Sequence, residues 1–173
     1  VQRMSAPKWN RKVHRVGALL VAAPALVILV TGLVLQLKKD WAWVQPATVS
    51  GSTTELAISW ERVLEIAGAV PEAKVETWAD IDRLDVRPSK GMLKVRCENG
   101  WEVQIDTLSG AVLSSEQRRS DWLESLHDGS WFSDKVKLLV FLPAGILLLI
   151  LWGTGVYLWL LPHLVRRRRK VRS

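Results

Sequence analysis

Leu138 to Leu161 reads LLVFLPAGILLLILWGTGVYLWLL, twenty-four residues without a charge, closed by Pro162, His163 and the basic run Arg166 to Lys170. At about 1.5 Å rise per residue a helix of that length reaches about 36 Å, enough to cross a hydrocarbon core of about 30 Å with some tilt. It is too long for an ordinary buried core helix. The stretch is therefore a membrane span, and the cations behind it are the stop expected on the cytoplasmic side.

Working back toward the start, Val16 to Leu37 is a second run of twenty-two uncharged residues, preceded by Arg11-Lys12-Val13-His14-Arg15. Its apolar core exceeds the about 7–15 residues of a signal-peptide core, and no small-x-small cleavage site follows it, so it reads as a retained span. Trp9, Trp41, Trp43, Trp131 and Trp159 fall where interfacial aromatic residues belong. Pro24 and Pro143 lie within the spans and are expected to bend them locally. Ala18, Ala22, Ala25 and Gly32 recur along the first span as a stripe of small residues, and Ala144 and Gly155 are their counterparts in the second; these are the candidate helix-packing positions. The chain opens on Val1 without an initiator Met, which leaves room for residues ahead of it.

The net charge of +7 is distributed, not uniform. Residues 1–15 hold five cations and the tail holds six, with no acid in either, whereas the segment from Lys38 to Lys137 holds all seventeen acids against thirteen cations and is −4. Positive ends around a mildly acidic middle predict a hairpin with both termini in the cytoplasm and the middle outside. The basic tail also suits anionic lipid. Nucleic acid is excluded as a partner, because no basic surface interleaved with aromatics accompanies the charge.

Ninety-five residues, Asp40 to Asp134, separate the spans. Thr48 to Thr54 is a polar linker by composition. Ser59 is an N-cap, and Trp60, Val63, Leu64 and Ala67 recur at helical spacing in a short amphipathic helix that ends near Gly68, before Pro71. Strands are predicted over Lys74 to Ala79, around Leu84 and Val86, and over Leu93, Val95 and Cys97. Asn99-Gly100 then turns the chain into a strand carrying Trp101, Val103 and Ile105, and Ala111 to Leu113 adds a short last strand. A helix on the apolar face of a three- or four-stranded antiparallel sheet makes a small α+β unit. The domain plan is a basic N-terminus (1–15), a first span (16–37), a linker (38–55), the α+β domain (56–116), an amphipathic helix and connector (117–135), a second span (136–162) and a basic tail (163–173).

The residues Ile58-Ser59-Trp60-Glu61, Ala69 to Val75, and Val103-Gln104-Ile105-Asp106-Thr107-Leu108-Ser109-Gly110-Ala111-Val112-Leu113 resemble a PepSY domain. The flanks agree. Arg11 to Arg15, Thr31-Gly32, Leu126-His127-Asp128-Gly129, Trp152-Gly153-Thr154-Gly155 and Leu158-Trp159-Leu160 resemble the PepSY-associated transmembrane family, so the likeness runs from about residue 9 to 163. The resemblance implies a bacterial inner-membrane protein with a periplasmic PepSY module, in a family that includes larger iron-regulated proteins and ferric siderophore reductases. Two spans, not four or more, set this chain apart from those larger members.

Chemistry rests on the three histidines. His14 matches the family's histidine ahead of the first span and His127 its Leu-His-x-Gly histidine. The topology puts His14 and His163 at one membrane boundary, where two neutral imidazoles on adjacent helices can supply both axial ligands of a haem b. His127 lies a bilayer thickness away and would need a partner chain or a haem at the outer face. An interfacial His also serves simply to cap a helix C-terminus. Lone Cys97 sits with Leu93 and Val95 on an apolar strand face and reads as core. Asp121, Glu124, His127 and Asp128 on a short helix are either a metal cluster or, the favoured reading, a solvated face. No phosphate loop, zinc-ligand pair or activated nucleophile is present, so no catalytic residue is assigned.

Two functions follow. The favoured one is a non-catalytic anchoring subunit of an inner-membrane complex, docking other membrane subunits through its spans and a periplasmic protein through the sheet domain. The alternative is a haem b electron carrier for ferric iron or siderophore reduction. Protease inhibition, a third idea tied to the PepSY name, is singled out by no residue here.

Overall fold

A computed structural model describes the backbone of residues 6–170 and the side chains of residues 9–162. Two long helices bracket a small sheet domain: α1 (Ala6–Gln36), α2 (Trp60–Gly68), strands β1 (Ile81–Arg87), β2 (Met92–Cys97), β3 (Trp101–Asp106) and β4 (Val112–Gln117), α3 (Ser120–Asp128), the single turn α4 (Asp134–Val136) and α5 (Leu142–Lys170). The chain divides into two compact units, residues 33–124 and the helical remainder.

In the helical unit, Trp9–Gln36 and Asp134–Pro162 are long and apolar enough to cross a membrane. Leu19 and Leu139 are each 74% exposed and Trp152 is 72% exposed, apolar surface that lipid, not water, accommodates. Helix α1 begins ten residues ahead of the apolar run, because backbone hydrogen bonding carries a helix through charged residues that hydropathy alone places outside it. Pro143 sits one residue into α5, directly after a π-turn over Lys137–Phe141 in which the Leu142 N–H donates to the Lys137 carbonyl. The wider turn is the local adjustment that a proline ring requires of the preceding carbonyls.

The sheet unit has strand order β1-β2-β3-β4, all antiparallel. Helix α2 starts where Ser59 accepts from the Arg62 N–H, and its Val63, Ile66 and Ala67 pack on Leu93, Val95, Cys97, Val103 and Ile105. Each large aliphatic residue buried there contributes about 1.5–3 kcal/mol, enough to hold a nine-residue helix that is marginal alone. The Asn99-Gly100 turn joins β2 to β3, and Asn99 Nδ2 ties it to the carbonyls of Glu72 and Ala73 at 3.0 Å.

Two expectations are corrected. Lys74 to Ala79 is not a strand: Lys74 adopts a left-handed conformation at φ 51°, and Thr77 with Asp80 forms a capping box around a single turn before β1 begins. Asp80 takes the N–H groups of Thr77 and Glu76, which hold its carboxyl below the usual carboxylate range. Nor is the polar stretch after the first span a free linker. Val44 and Pro46 are buried, the Val49 N–H donates to Gln104 Oε1 at 2.9 Å, the Gln104 amide donates to the Ala47 carbonyl at 2.8 Å, and the Ser52 N–H donates to Asp106 Oδ2 at 2.6 Å. Residues 44–53 are thus a strap laid over the second face of the sheet.

Beneath the strap, charged side chains are fully enclosed. Lys94 Nζ lies 2.8 Å from Glu102 Oε1, Gln104 donates to that same oxygen at 3.0 Å, and Arg118 Nη1 lies 3.1 Å from Glu102 Oε2. Burial pushes the Lys94 ammonium below its ordinary value, its pairing with Glu102 opposing the shift. Asp106 is held far below the carboxylate range by the N–H groups of Ser109, Ser52 and Leu108. Close approach fixes Gly91: at φ +58°, a Cβ there would sit 1.5 Å from the Thr53 carbonyl oxygen of the strap.

Candidate histidine corners of the helical unit

His14 and His127 each meet a Thr-Gly pair on another helix. His14, on α1, has Nδ1 3.1 Å from Thr154 Oγ1 of α5, and its Cε1 lies 3.8 Å from where a Cβ on Gly155 would stand. His127, in the last turn of α3, has Nδ1 3.0 Å from Thr31 Oγ1 of α1, with its Cε1 3.2 Å from where a Cβ on Gly32 would stand. A methyl in place of the Gly32 hydrogen would press on the His127 ring, whereas at Gly155 it would make an ordinary van der Waals contact with His14.

Each threonine hydroxyl has a carbonyl of its own helix as well as the imidazole within reach. Thr31 Oγ1 donates to the Val27 carbonyl at 2.6 Å, and Thr154 Oγ1 donates to the Leu151 carbonyl at 3.0 Å. Where the hydroxyl spends its hydrogen along its own helix it accepts from Nδ1, and a neutral imidazole then carries its lone pair on Nε2; where the hydroxyl donates to Nδ1 the roles reverse. The first arrangement is that of a metal-binding histidine whose orientation is fixed by a partner on the far nitrogen. Both histidines are partly buried.

The two corners lie toward opposite ends of the spans. From His14 to Thr31, α1 rises about 25 Å, so one ligand cannot touch both rings. His163 continues α5 about 13 Å beyond Thr154, and its side chain lies outside the described residues. The side chain that meets His14 among the described residues is Thr154.

The other candidates fall as follows. Ala25 and Ala144 are buried, Gly32 and Gly155 lie against the histidines, and Ala18 and Ala22 are exposed. His14 and Gly17 of α1 lie against Thr154 and Leu151 of α5, Val21 and Ala25 are buried on the same side of the helix, and Thr31 meets α3. The sequence shows His14, Thr31-Gly32, His127 and Thr154-Gly155 as separate motifs, and no signal in it pairs each histidine with a Thr-Gly step of another helix. Asp121 pairs with Arg118, Glu124 with Lys38 and Asp128 with Lys137, and among the described residues no group of three or more His, Cys, Asp or Glu side chains is disposed to hold a metal ion. Cys97 is buried in the sheet core, and burial, with the Asp80 charge, pushes its thiol up to about 11.

No curated protein and no solved structure matches the chain. One family model does: the PepSY-associated TM region matches residues 2–171, essentially the whole chain. With two apolar spans around an inserted four-stranded domain, the chain is a two-span membrane protein that belongs to the family of the PepSY-associated TM region.

Proposed function

We propose that this chain is a subunit of an inner-membrane redox complex that contributes one histidine ligand toward each membrane face, His14 at one and His127 at the other, to haem b sites completed by a partner. The observation that carries the reading is the placement of each ring's Nδ1 within hydrogen-bond distance of a threonine hydroxyl on another helix, Thr154 for His14 and Thr31 for His127, a contact that orients the imidazole. Each corner supplies half of such a ligand set, one imidazole held by a threonine contact with its ring packed beside a glycine. Haem b, when bound, supplies one-electron chemistry. The protein's part is to fix the two rings and hold water away with apolar spans.

The anchoring role and the electron-carrier role therefore meet in one reading, with His163 outside the ligand set. The charge distribution supports cytoplasmic termini and a periplasmic sheet domain. The link to ferric iron or siderophores rests on family analogy.

The test is a reduced-minus-oxidised absorption spectrum of the detergent-extracted protein and of His14→Ala, His127→Ala and His163→Ala. A b-type signal diminished by the first two and unchanged by the third is expected. Absence of any signal, with other membrane subunits co-purifying, would leave a purely anchoring subunit. A signal lost in His163→Ala would return the inner ligand pair to His14 and His163.

A further inference from the structure

The two edges of the sheet are built differently. On β1 four of seven residues, Asp82, Arg83, Asp85 and Arg87, are charged, and charge along an edge strand keeps a further strand from pairing with it. β4, at the other edge, carries one charge, Glu116, in its six residues. A bulge at Leu113 interrupts its ladder with β3, so the regular stretch runs from Ser114 to Gln117. Among the described residues, the main chain of that stretch makes no hydrogen bond beyond its ladder with β3. An antiparallel edge strand turns the N–H and C=O groups of alternate residues outward, and what matches such a row is another extended main chain.

A recess lies against the same stretch. It has a volume of about 330 Å³, and Trp43, Trp101, Ser115, Gln117 and Arg119 are among the residues that line it. Its polar groups are taken up with one another. The Trp101 indole N–H donates to Ser115 Oγ at 2.7 Å, and the Arg119 guanidinium donates to the Trp43 carbonyl at 3.1 Å and to Gln117 Oε1 at 3.0 Å. The same guanidinium lies 5.0 Å from the centre of the Trp43 ring. What the recess offers a visitor is therefore aromatic surface, with Trp43 46% exposed. An apolar or aromatic side chain suits it, whereas an anion would find the guanidinium already engaged.

We propose that the Ser114–Gln117 edge of β4 receives an extended segment of a partner protein as a fifth strand, held through the main chain and anchored by one apolar or aromatic side chain in the Trp43–Trp101 recess. Four residues of edge and one recess make a small contact, suited to a short linear segment and not to a folded face. This docking edge lies wholly in the sheet unit and does not draw on the histidine corners.

The experiment places the full chain in lipid nanodiscs and selects binders from a library of seven-residue peptides randomised at every position. Selected peptides are synthesised unmodified, N-methylated on the odd-numbered amides, and N-methylated on the even-numbered ones. Binding is followed by titration and by hydrogen exchange of the β1 and β4 amides. The unmodified peptides should carry an apolar or aromatic residue at a fixed position and slow exchange of the outward amides within residues 114–117, leaving β1 unchanged. One methylated form should lose binding and the other keep it, because an added edge strand pairs on one side only. Trp43→Ala should weaken the selected peptides by about tenfold or more, with exchange in β2 and β3 unaltered as the sign that the sheet is intact. Indifference to both methylation patterns overturns the added strand. Protection of β1 in place of β4 overturns the choice of edge, and a selection that yields no peptide protecting residues 114–117 overturns the proposal outright.

Discussion

Lys94 Nζ stands 2.8 Å from Glu102 Oε1, and neither side chain is exposed to solvent. Glu102 is the hub, since Arg118 and Gln104 also converge on its carboxylate. Removing it by Glu102→Leu strands the buried Lys94 ammonium and leaves Arg118 only its pair with Asp121, at a cost of about 3–5 kcal/mol. Lys94→Met leaves the carboxylate paired to Arg118 and should cost less than half as much. Hydrogen exchange of β2 and β3 amides in the detergent-extracted chain reads the difference. Equal losses from the two variants would remove Glu102 from the centre of the layer.

Asp106 makes the strap sensitive to acid. Its carboxyl is held low in the fold by the N–H groups of Ser109, Ser52 and Leu108, whereas the unfolded chain restores a value of about 3.9. The stabilisation is thus fully present above about pH 4 and drains as the pH falls toward the folded value. Exchange at the Ser52 amide should accelerate in that acid window for the natural protein. Asp106→Asn should show fast exchange already at neutral pH and no further acid step.

The strap should also be dislodged by Gly91→Ala. The added methyl would collide with the Thr53 backbone and would require φ +58° of an alanine. Limited proteolysis within residues 44–53, slow in the natural protein, is expected to become fast. The Gly145→Ala control, at a glycine with nothing within 4 Å of the new Cβ, should not change it.

Cys97 should be inert. A thiol pushed up to about 11 carries about one thiolate in ten thousand at pH 7, and the group is enclosed in the sheet core. Iodoacetamide should label it only after denaturation. Prompt labelling of the folded chain would contradict the packing of β2.

At the histidine corners, Thr31→Val and Thr154→Val keep side-chain volume and remove the hydroxyl that orients each ring. Loss of such an orienting partner typically weakens metal binding by about 10–100-fold. Each variant should weaken hemin uptake at its own corner alone, and Thr→Ser at the same position should retain it.

Much of this architecture is legible in the sequence, and the reasons for the exceptions are physical. The spans announce themselves through uninterrupted hydropathy, and Ser59, the spacing of Val63 and Ala67, and Asn99-Gly100 mark α2 and the β2–β3 turn through local chemistry. The strap is hidden because its hold on the sheet runs through backbone N–H and C=O groups, which leave no trace in side-chain polarity. The second sheet face is hidden because Lys94, Glu102, Gln104 and Asp106 look like a solvated row until a cover is known. Lys74 to Ala79 misleads through its apolar residues, while Lys74 in a left-handed conformation breaks the strand geometry they suggest. The histidines were legible as chemistry, but their threonine partners became visible only once α1 was set against α5 and α3.

One bond bears on how the protein came to be built. The Arg119 N–H donates to the Val44 carbonyl at 3.0 Å, and its guanidinium reaches the Trp43 carbonyl at 3.1 Å. The chain therefore leaves the sheet domain beside the point where it came in. A module whose two ends meet is a cassette: it can be gained, lost or exchanged in evolution as one piece, because a short connector bridges the same gap. Excising residues 45–118 and joining Val44 to Arg119 through a brief turn should leave a chain that still inserts as a hairpin.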